Sequence, residues 1–250
     1  MVIFSGGLFM QKMLGYLRRA IQEYDMISDG DSIAVGVSGG KDSLVLLIGL
    51  KLLQRFIGID YKLYALSMDP YFNGEPTDYS EISLLCEKHD IPYKIITTHI
   101  AEVVFDIRNE QNPCSLCARM RRGALHDAAK ELGCNKLALG HNHDDVVETF
   151  FMNLFNEGRI DCFSPVSYLS RKDITVIRPL VLAPENIVAK AAMKNGFPVI
   201  KSKCPVDGHT NREKMRQFII EMEHTDSGFS DKIFGALQRG NISGWGNRKG

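Results

Sequence analysis

Hydrophobic positions along this chain recur with two different periods. Over Gln11–Tyr24, Leu14, Leu17, Ile21 and Tyr24 fall at helical spacing, which predicts an amphipathic helix that "SDGDS" then ends. Beyond it, short apolar runs alternate with helix-length stretches. The runs "SIAVGV", "YKLYALSM", "PYKIITT", "NKLALG" and "DITVIRPL" predict five strands. Helices are predicted over Ser43–Ile57, Thr77–His89, Ala118–Leu132, Asp145–Asn156 and Pro184–Asn195.

Strands separated by helices imply an α/β fold with a doubly wound, mainly parallel sheet and right-handed crossovers. A short N-terminal helix precedes it and a C-terminal helical extension follows. The expected organisation is an N-terminal helical segment over 1–29, a central domain over 30–200 and an extension over 201–250. The extension holds a helix near Glu213–Glu223 and a Gly/Asn-rich end expected to be loosely ordered. In such sheets ligands bind beyond the carboxyl ends of the strands. The loops after the first and fourth strands should therefore face one crevice.

Composition narrows the setting. Hydrophobic residues make up 44% and charged residues 24%, ordinary for a soluble globular protein. The 30 basic and 30 acidic side chains cancel, so any nucleic-acid contact has to come from a local patch. No run approaches the roughly 18–20 apolar residues of a membrane span. The opening "MVIFSGGLFM" lacks a basic start and runs directly into the first helical pattern, so it is not read as a signal peptide. Six cysteines without an export signal suggest reduced thiols in a cytoplasmic protein, open to metal binding or catalysis.

The stretch "GVSGGKDSLVLL", Gly36–Leu47, joins the first strand to a helix and has the makings of a phosphate cradle. It is not a Walker loop, because Val35 stands five positions before Gly40 and Asp42 follows Lys41. It is not a dinucleotide fingerprint either, since Ser38 occupies the place of the second glycine. An ordinary strand-to-helix turn with Ser and Gly caps is the plain alternative. Glycine backbone amides and the following helix's N-terminus favour an anion, Ser38 and Ser43 add hydroxyls, and Lys41 adds a point charge. Asp42 suits such a site only with a divalent cation between it and the phosphates, which makes it a magnesium ligand.

The motif S-G-G-K-D-S, Ser38–Ser43, resembles the PP-loop of the ATP pyrophosphatase superfamily. That resemblance implies an enzyme that splits ATP between its α and β phosphates and activates an oxygen as its adenylate. "LGHNHDDVVET", Leu139–Thr149, resembles the second motif of the superfamily. It implies that Gly140, His141 and Asp145 meet the nucleotide and magnesium from the opposite wall. Asp144 and Asp145 also suit a helix first turn, where acids cap and complement the dipole. "HNH" is not read as zinc, because adjacent side chains rarely converge on one ion. Met68 and Asp69 end the second strand, where relatives of this fold hold adenine and ribose; a core position is the alternative for Met68.

Cys114-x-x-Cys117 opens a helix, and by itself fits a redox dithiol, half a zinc site or half a cluster site. Cys204, in "IKSKCPVDG", is the best third thiol. Cys86, Cys134 and Cys162 sit among apolar neighbours and read as small buried hydrophobes. The PP-loop, C-x-x-C before "ARMRRG", "LALGHNHDD", "IRPL" and a late Cys-Pro turn, in that order over about 31–216, resemble the tRNA 2-thiocytidine synthetase family.

That resemblance implies a [4Fe-4S] cluster held by Cys114, Cys117 and Cys204, with one iron open to sulfide. ATP would activate the C2 oxygen of an anticodon-loop cytidine, position 32, and sulfur from the cluster would replace it. Lys41, Asp42, Asp145, Cys114 and Cys117 are then catalytic. Ser38, Gly39, Gly40, Lys41, Asp42, Ser43, Met68, Gly140, His141 and Asp145 hold ATP, and Asp42 and Asp145 hold Mg2+. Some members carry a further cysteine where Asp207 stands, so either Asp207 or nothing completes the coordination.

The implied partners are tRNA and a sulfur donor, either a cysteine desulfurase or free sulfide, with no membrane and a homodimeric state. Arg119, Arg121 and Arg122 flank one thiol segment and Arg212, Lys214 and Arg216 the other, suited to phosphates or to solvated helix faces. Pyrimidine C2 is reachable only in an unstacked nucleotide. Three alternatives stay open: a 2-thiouridine synthetase using the same chemistry, a PP-loop ligase or sulfurtransferase on another substrate, and an iron–sulfur sensor that only binds nucleotide.

Overall fold

The computed structural model describes residues 8–108, 113–201, 203–204 and 211–246. Strand β1 (Asp31–Gly36) shows why the sheet is covered on both sides. Ile33 and Val35 join a core with α1 (Leu8–Glu23), α2 (Lys41–Leu53) and α6 (Glu185–Lys194). Ala34, between them, joins a second core with Leu125, Ala128 and Ala129 of α4 (Pro113–Glu131). Alternate side chains of a strand face opposite ways, so a strand with consecutive apolar positions needs a helical layer on each face. Helix α2 is apolar nearly all round for the same reason, with ten of its 13 residues buried. Against it lies α1, so close that a β-carbon on Gly49 would come within 2.3 Å of Leu17.

The remaining strands are β2 (Tyr61–Asp69), β3 (Tyr93–Thr97), β4 (Lys136–Ala138), β5 (Val166–Leu169) and β6 (Ile174–Ile177). They form one six-stranded sheet in the order β3-β2-β1-β4-β6-β5. All pairs are parallel except β5 with β6. The chain steps outward from β1 to β3 and then returns to the other side of β1 as β4. The order therefore reverses between β1 and β4, where an open α/β sheet leaves its ligand crevice.

The five strands expected from the sequence are present, and β5 is an additional one. It spans four residues and returns through a turn whose Asp173 has φ 47°. So short an edge strand leaves almost no alternation to read. Helix α4 begins at Pro113, which suits the first helical position. Cys114 and Cys117 therefore stand at its start, three residues apart on one helical face. Among the described residues no helix is long and apolar enough to cross a membrane.

The loose order expected of the Gly/Asn-rich end is overturned up to residue 246. Helix α7 (Asn211–Thr225) is followed by α8 (Phe229–Arg239), which buries Phe234 and Leu237. Trp245, past the last helix, is fully buried. Its Nε1 donates to the Phe163 carbonyl at 2.9 Å, and its ring packs on Tyr24 and Phe234 at 5.7 and 5.2 Å. One large ring, with its single donor satisfied, thus fixes a polar segment that composition alone reads as slack.

Replacing Trp245 with alanine is expected to cost about 3–5 kcal/mol of stability, measured by urea unfolding. Circular dichroism is the suitable signal, because the substitution removes the chain's only tryptophan.

Candidate functional site

The loop after β1 is shaped by its own hydroxyls. Ser43 Oγ donates to the Gly40 carbonyl at 2.9 Å and lies 3.3 Å from Ser38 Oγ and 3.2 Å from Ser38 N. Ser43 is buried, so its hydroxyl holds the loop rather than standing open to a ligand. No side chain caps the start of α2. Its first amides are thus left facing the crevice, the usual arrangement of an anion site at a helix N-terminus. Gly39 adopts φ 84°, and a β-carbon there would meet Ile200 at 3.1 Å. The Ile200 amide donates to the Gly39 carbonyl at 2.9 Å.

The opposite wall is the loop between β4 and α5 (His143–Met152). Asn142 caps α5 through a reciprocal pair with Asp145: its side chain accepts from the Asp145 amide at 3.1 Å, and Asp145 accepts from the Asn142 amide at 2.9 Å. The Asn142 amide group also donates to Asp42 at 3.1 Å, joining the starts of α2 and α5. Gly140 has no room for a side chain, since a β-carbon would lie 3.0 Å from Ser43 N and 3.1 Å from the Asp42 carbonyl carbon. Asp144 caps a different helix, accepting from the Glu185 amide at 2.7 Å. Both acids therefore cap, one of them at long range.

Between these walls is a cleft of about 350 Å³. Its lining includes six carboxylates (Asp42, Asp144, Asp145, Glu148, Glu185 and Glu213) and three cations (Lys41, Arg212 and Arg216). Lys41 bonds Glu185 at 2.8 Å and Asp42 at 3.0 Å. Burial would lower its pKa, but these two partners raise it above the usual lysine value. Arg212 reaches Asp145 at 3.1 Å, while Arg216 reaches Glu148 at 3.4 Å and also pairs with Glu185. Burial raises the Glu148 carboxyl to about 7, with Asp145 and Glu185 adding repulsion and Arg212 and Arg216 opposing it. Asp145 is raised by burial first, with Asp42 and Glu185 adding to it. A divalent cation would relieve this crowding, so the donor set fits Mg2+ at Asp42 and Asp145.

His141 packs on Phe163 with ring centroids 4.9 Å apart, and its Nδ1 is buried without a hydrogen-bond partner. Burial, with Arg178, Arg212 and Arg122 nearby, lowers its pKa to about 3. It is neutral at physiological pH and brings no positive charge to the crevice. Both carboxylate oxygens of Asp69 are held by its own loop, through Tyr71 N, Thr77 N and Thr77 Oγ1. Met68 is buried in a cluster with Leu116 and Cys117, which sets the end of β2 directly beneath the thiol segment.

No disulfide forms among the described residues, which include all six cysteines. Cys86, Cys134 and Cys162 are buried as expected. Cys114, Cys117 and Cys204 are close enough to influence one another. Burial raises the pKa of Cys114 and of Cys117, and Cys204 raises both further. Arg121 opposes this at Cys117, with a charge and a hydrogen bond to its thiol. The segment before Cys204 is bonded to the PP-loop at Gly39, and Lys203 is tied to Glu75 at 3.4 Å. Among the described residues no three His, Cys, Asp or Glu side chains already form a metal-binding group. Three soft thiols drawn from two segments nevertheless suit a cluster by their donor chemistry. Asp207 lies outside the described residues.

Sequence reasoning missed Asn142, Glu148 and Glu185 as members of this cleft. Glu148 was within reach, standing three residues beyond Asp145 on one helical face. Glu185 carried no local signal, because its partners Lys41 and Arg216 are 144 and 31 residues away.

Residues 13–223 match the family described as a PP-loop domain. The tRNA-cytidine(32) 2-sulfurtransferase of Ralstonia nicotianae is 39% identical over 88% of this chain and 70% of its own length. That of Syntrophotalea carbinolica is 39% identical over 90% of this chain and 86% of its own. Among solved structures, the U34-tRNA thiolase NcsA from Methanococcus maripaludis with its [4Fe-4S] cluster superposes with a TM-score of 0.75 at 27% identity. It covers 92% of this chain and 78% of its own.

Two outcomes are expected of this cleft. Gly140→Ala pushes the two walls apart and should weaken ATP binding at least about tenfold while circular dichroism stays native. The Glu148 carboxyl binds its proton more tightly folded than unfolded. Its contribution to stability is therefore complete below the ordinary glutamate pKa and is lost as pH rises through about 7. Glu148→Gln should remove a decline of about 1–3 kcal/mol from denaturant midpoints followed between pH 4.5 and 8.

Proposed function

The chain belongs to the PP-loop domain family and, within it, to the family of the tRNA-cytidine(32) 2-sulfurtransferases, and we propose that it thiolates cytidine 32 of tRNA after adenylating the base. The observation that carries this reading is the 2.9 Å backbone bond from Ile200 to Gly39. Cys204 follows four residues later, so its α-carbon lies within about 14 Å of that of Ile200. A nucleotide-activating loop and a thiol trio then serve one substrate atom.

In the first half-reaction the C2 oxygen of the pyrimidine attacks the α-phosphate of ATP, and pyrophosphate leaves. Gly39 gives the phosphates room, and the uncapped first amides of α2 face them. The Ser38 and Gly40 amides hold the loop through the Ser43 and Ser38 hydroxyls, and Lys41 moves from Glu185 to the developing charge. Asp42 and Asp145 would hold Mg2+, whose charge would offset the carboxylates of the cleft toward a triphosphate. Met68 and Gly140 border the nucleoside, and neutral His141 offers a ring nitrogen without adding charge. In the second half-reaction a sulfur nucleophile adds at C2 and AMP departs, leaving the thiocarbonyl.

Cys114, Cys117 and Cys204 would hold a [4Fe-4S] cluster. When bound, such a cluster with three protein ligands has one iron free for an exogenous sulfur. Arg121 steadies negative charge on Cys117. The sulfur comes from free sulfide, or from a cysteine desulfurase whose persulfide sulfur is first brought to the sulfide level by a two-electron thiol reductant. A 2-thiouridine product is the second reading, favoured by the likeness to the U34-tRNA thiolase.

Nucleoside mass analysis of tRNA from cells lacking the protein separates the two: 2-thiocytidine should vanish while 2-thiouridine stays, and the reverse would move the assignment. In purified anaerobic protein, changing any of the three cysteines to serine should abolish thiolation but keep tRNA-dependent pyrophosphate release. Asp42→Asn should abolish that release.

A further inference from the structure

We propose that Arg212 and Arg216 bind the β- and γ-phosphates of ATP and then the departing pyrophosphate, exchanging their carboxylate partners for phosphate oxygens. This rests on the adenylation reading above and assigns residues to it outside both recognised motifs.

Arg212 and Arg216 stand one turn apart on α7, and both line the cleft rather than facing away from it. Their partners are residues of the cleft wall. Arg212 takes Asp145 at 3.1 Å and Glu148 at 3.7 Å; Arg216 takes Glu148 at 3.4 Å and Glu185. Glu185 uses its other oxygen for Lys41, the cation of the PP-loop. Three cations from two distant segments thus converge on one line of carboxylates beside the phosphate loop.

A guanidinium fork matches two phosphate oxygens as well as it matches a carboxylate, and phosphate carries more charge. The exchange is sterically simple. The side chains of Arg212 and Arg216 are 46% and 39% exposed, so they can swing on long stems while α7 stays packed. It also frees Asp145 from a guanidinium at the moment that carboxylate is wanted by Mg2+. The competing use of these arginines, gripping tRNA backbone phosphates, fits less well, because their heads already point into the cleft.

Magnesium pyrophosphate and AMP, each titrated calorimetrically into the full-length protein, make the test. Arg212→Gln and Arg216→Gln should each weaken pyrophosphate about tenfold and together about a hundredfold, with AMP affinity and tRNA retention on filters unchanged. Lys214→Gln, on the same helix, should leave pyrophosphate affinity as it is. Wild-type pyrophosphate affinity retained in the double variant overturns the proposal, as does a loss confined to tRNA. Parallel loss of AMP, pyrophosphate and melting temperature would assign the pair to holding the fold, and also overturns it. A wild-type protein that neither binds pyrophosphate nor releases it with tRNA present overturns the adenylation reading itself, before any variant is compared.

Discussion

Two chain reversals, one after β1 and one after β4, meet with no space between them. A β-carbon on Gly140 would come within 3.0 Å of the Ser43 amide. This contact fixes the start of α2 against the start of α5, and Asn142 completes it by capping α5 while donating to Asp42. The position follows from topology. The order of the sheet reverses between β1 and β4, so no helix crosses over their carboxyl ends and two helix N-termini open onto the gap. Uncapped helix-start amides on one side and capping acids on the other are consequences of that one juxtaposition.

The same closeness creates an electrostatic problem. The carboxylates of α5 and of α6 are brought together with that of Asp42, and burial raises Glu148 and Asp145 toward protonation. The chain answers with cations from both ends of the sequence, Lys41 at the loop and Arg212 and Arg216 near the C-terminus. Charge crowding that would be a defect in a structural core becomes useful where a metal-bound polyphosphate has to dock. In the adenylation proposed above, it would draw a divalent cation in and leave its own cations available to the anion.

A second tether brings the thiols to this gap. Gly39 accepts from Ile200, and its missing side chain makes room for that residue, so the segment leading to Cys204 lies on the phosphate loop. From the other side Met68 packs beneath Cys117, and Leu125 of α4 would meet a β-carbon on Gly36 at 2.9 Å. Both thiol-bearing segments are thus fastened to the strand ends that carry the nucleotide loop. Proximity of the thiol segments to the loop after β1 is built from backbone contacts and small residues, which tolerate little drift.

The alternation of apolar runs with helical stretches was enough to determine the layered α/β architecture, because consecutive apolar positions such as Ile33, Ala34 and Val35 have to be buried on both faces of the sheet. The order of local signals, Ser38–Ser43, then Cys114 and Cys117, then His141–Asp145, then Cys204, likewise marked the family to which the chain belongs, since such motifs need particular residue types at short spacing. What the sequence could not hold was anything set by distance through space. Nothing local foretold that Asp144 caps α6, that Glu185 bridges Lys41 and Arg216, or that Trp245 anchors a segment rich in glycine and asparagine. Those facts depend on which surfaces meet after the chain closes, and a carboxylate or an indole looks the same in one dimension whether its partner is four residues away or eighty.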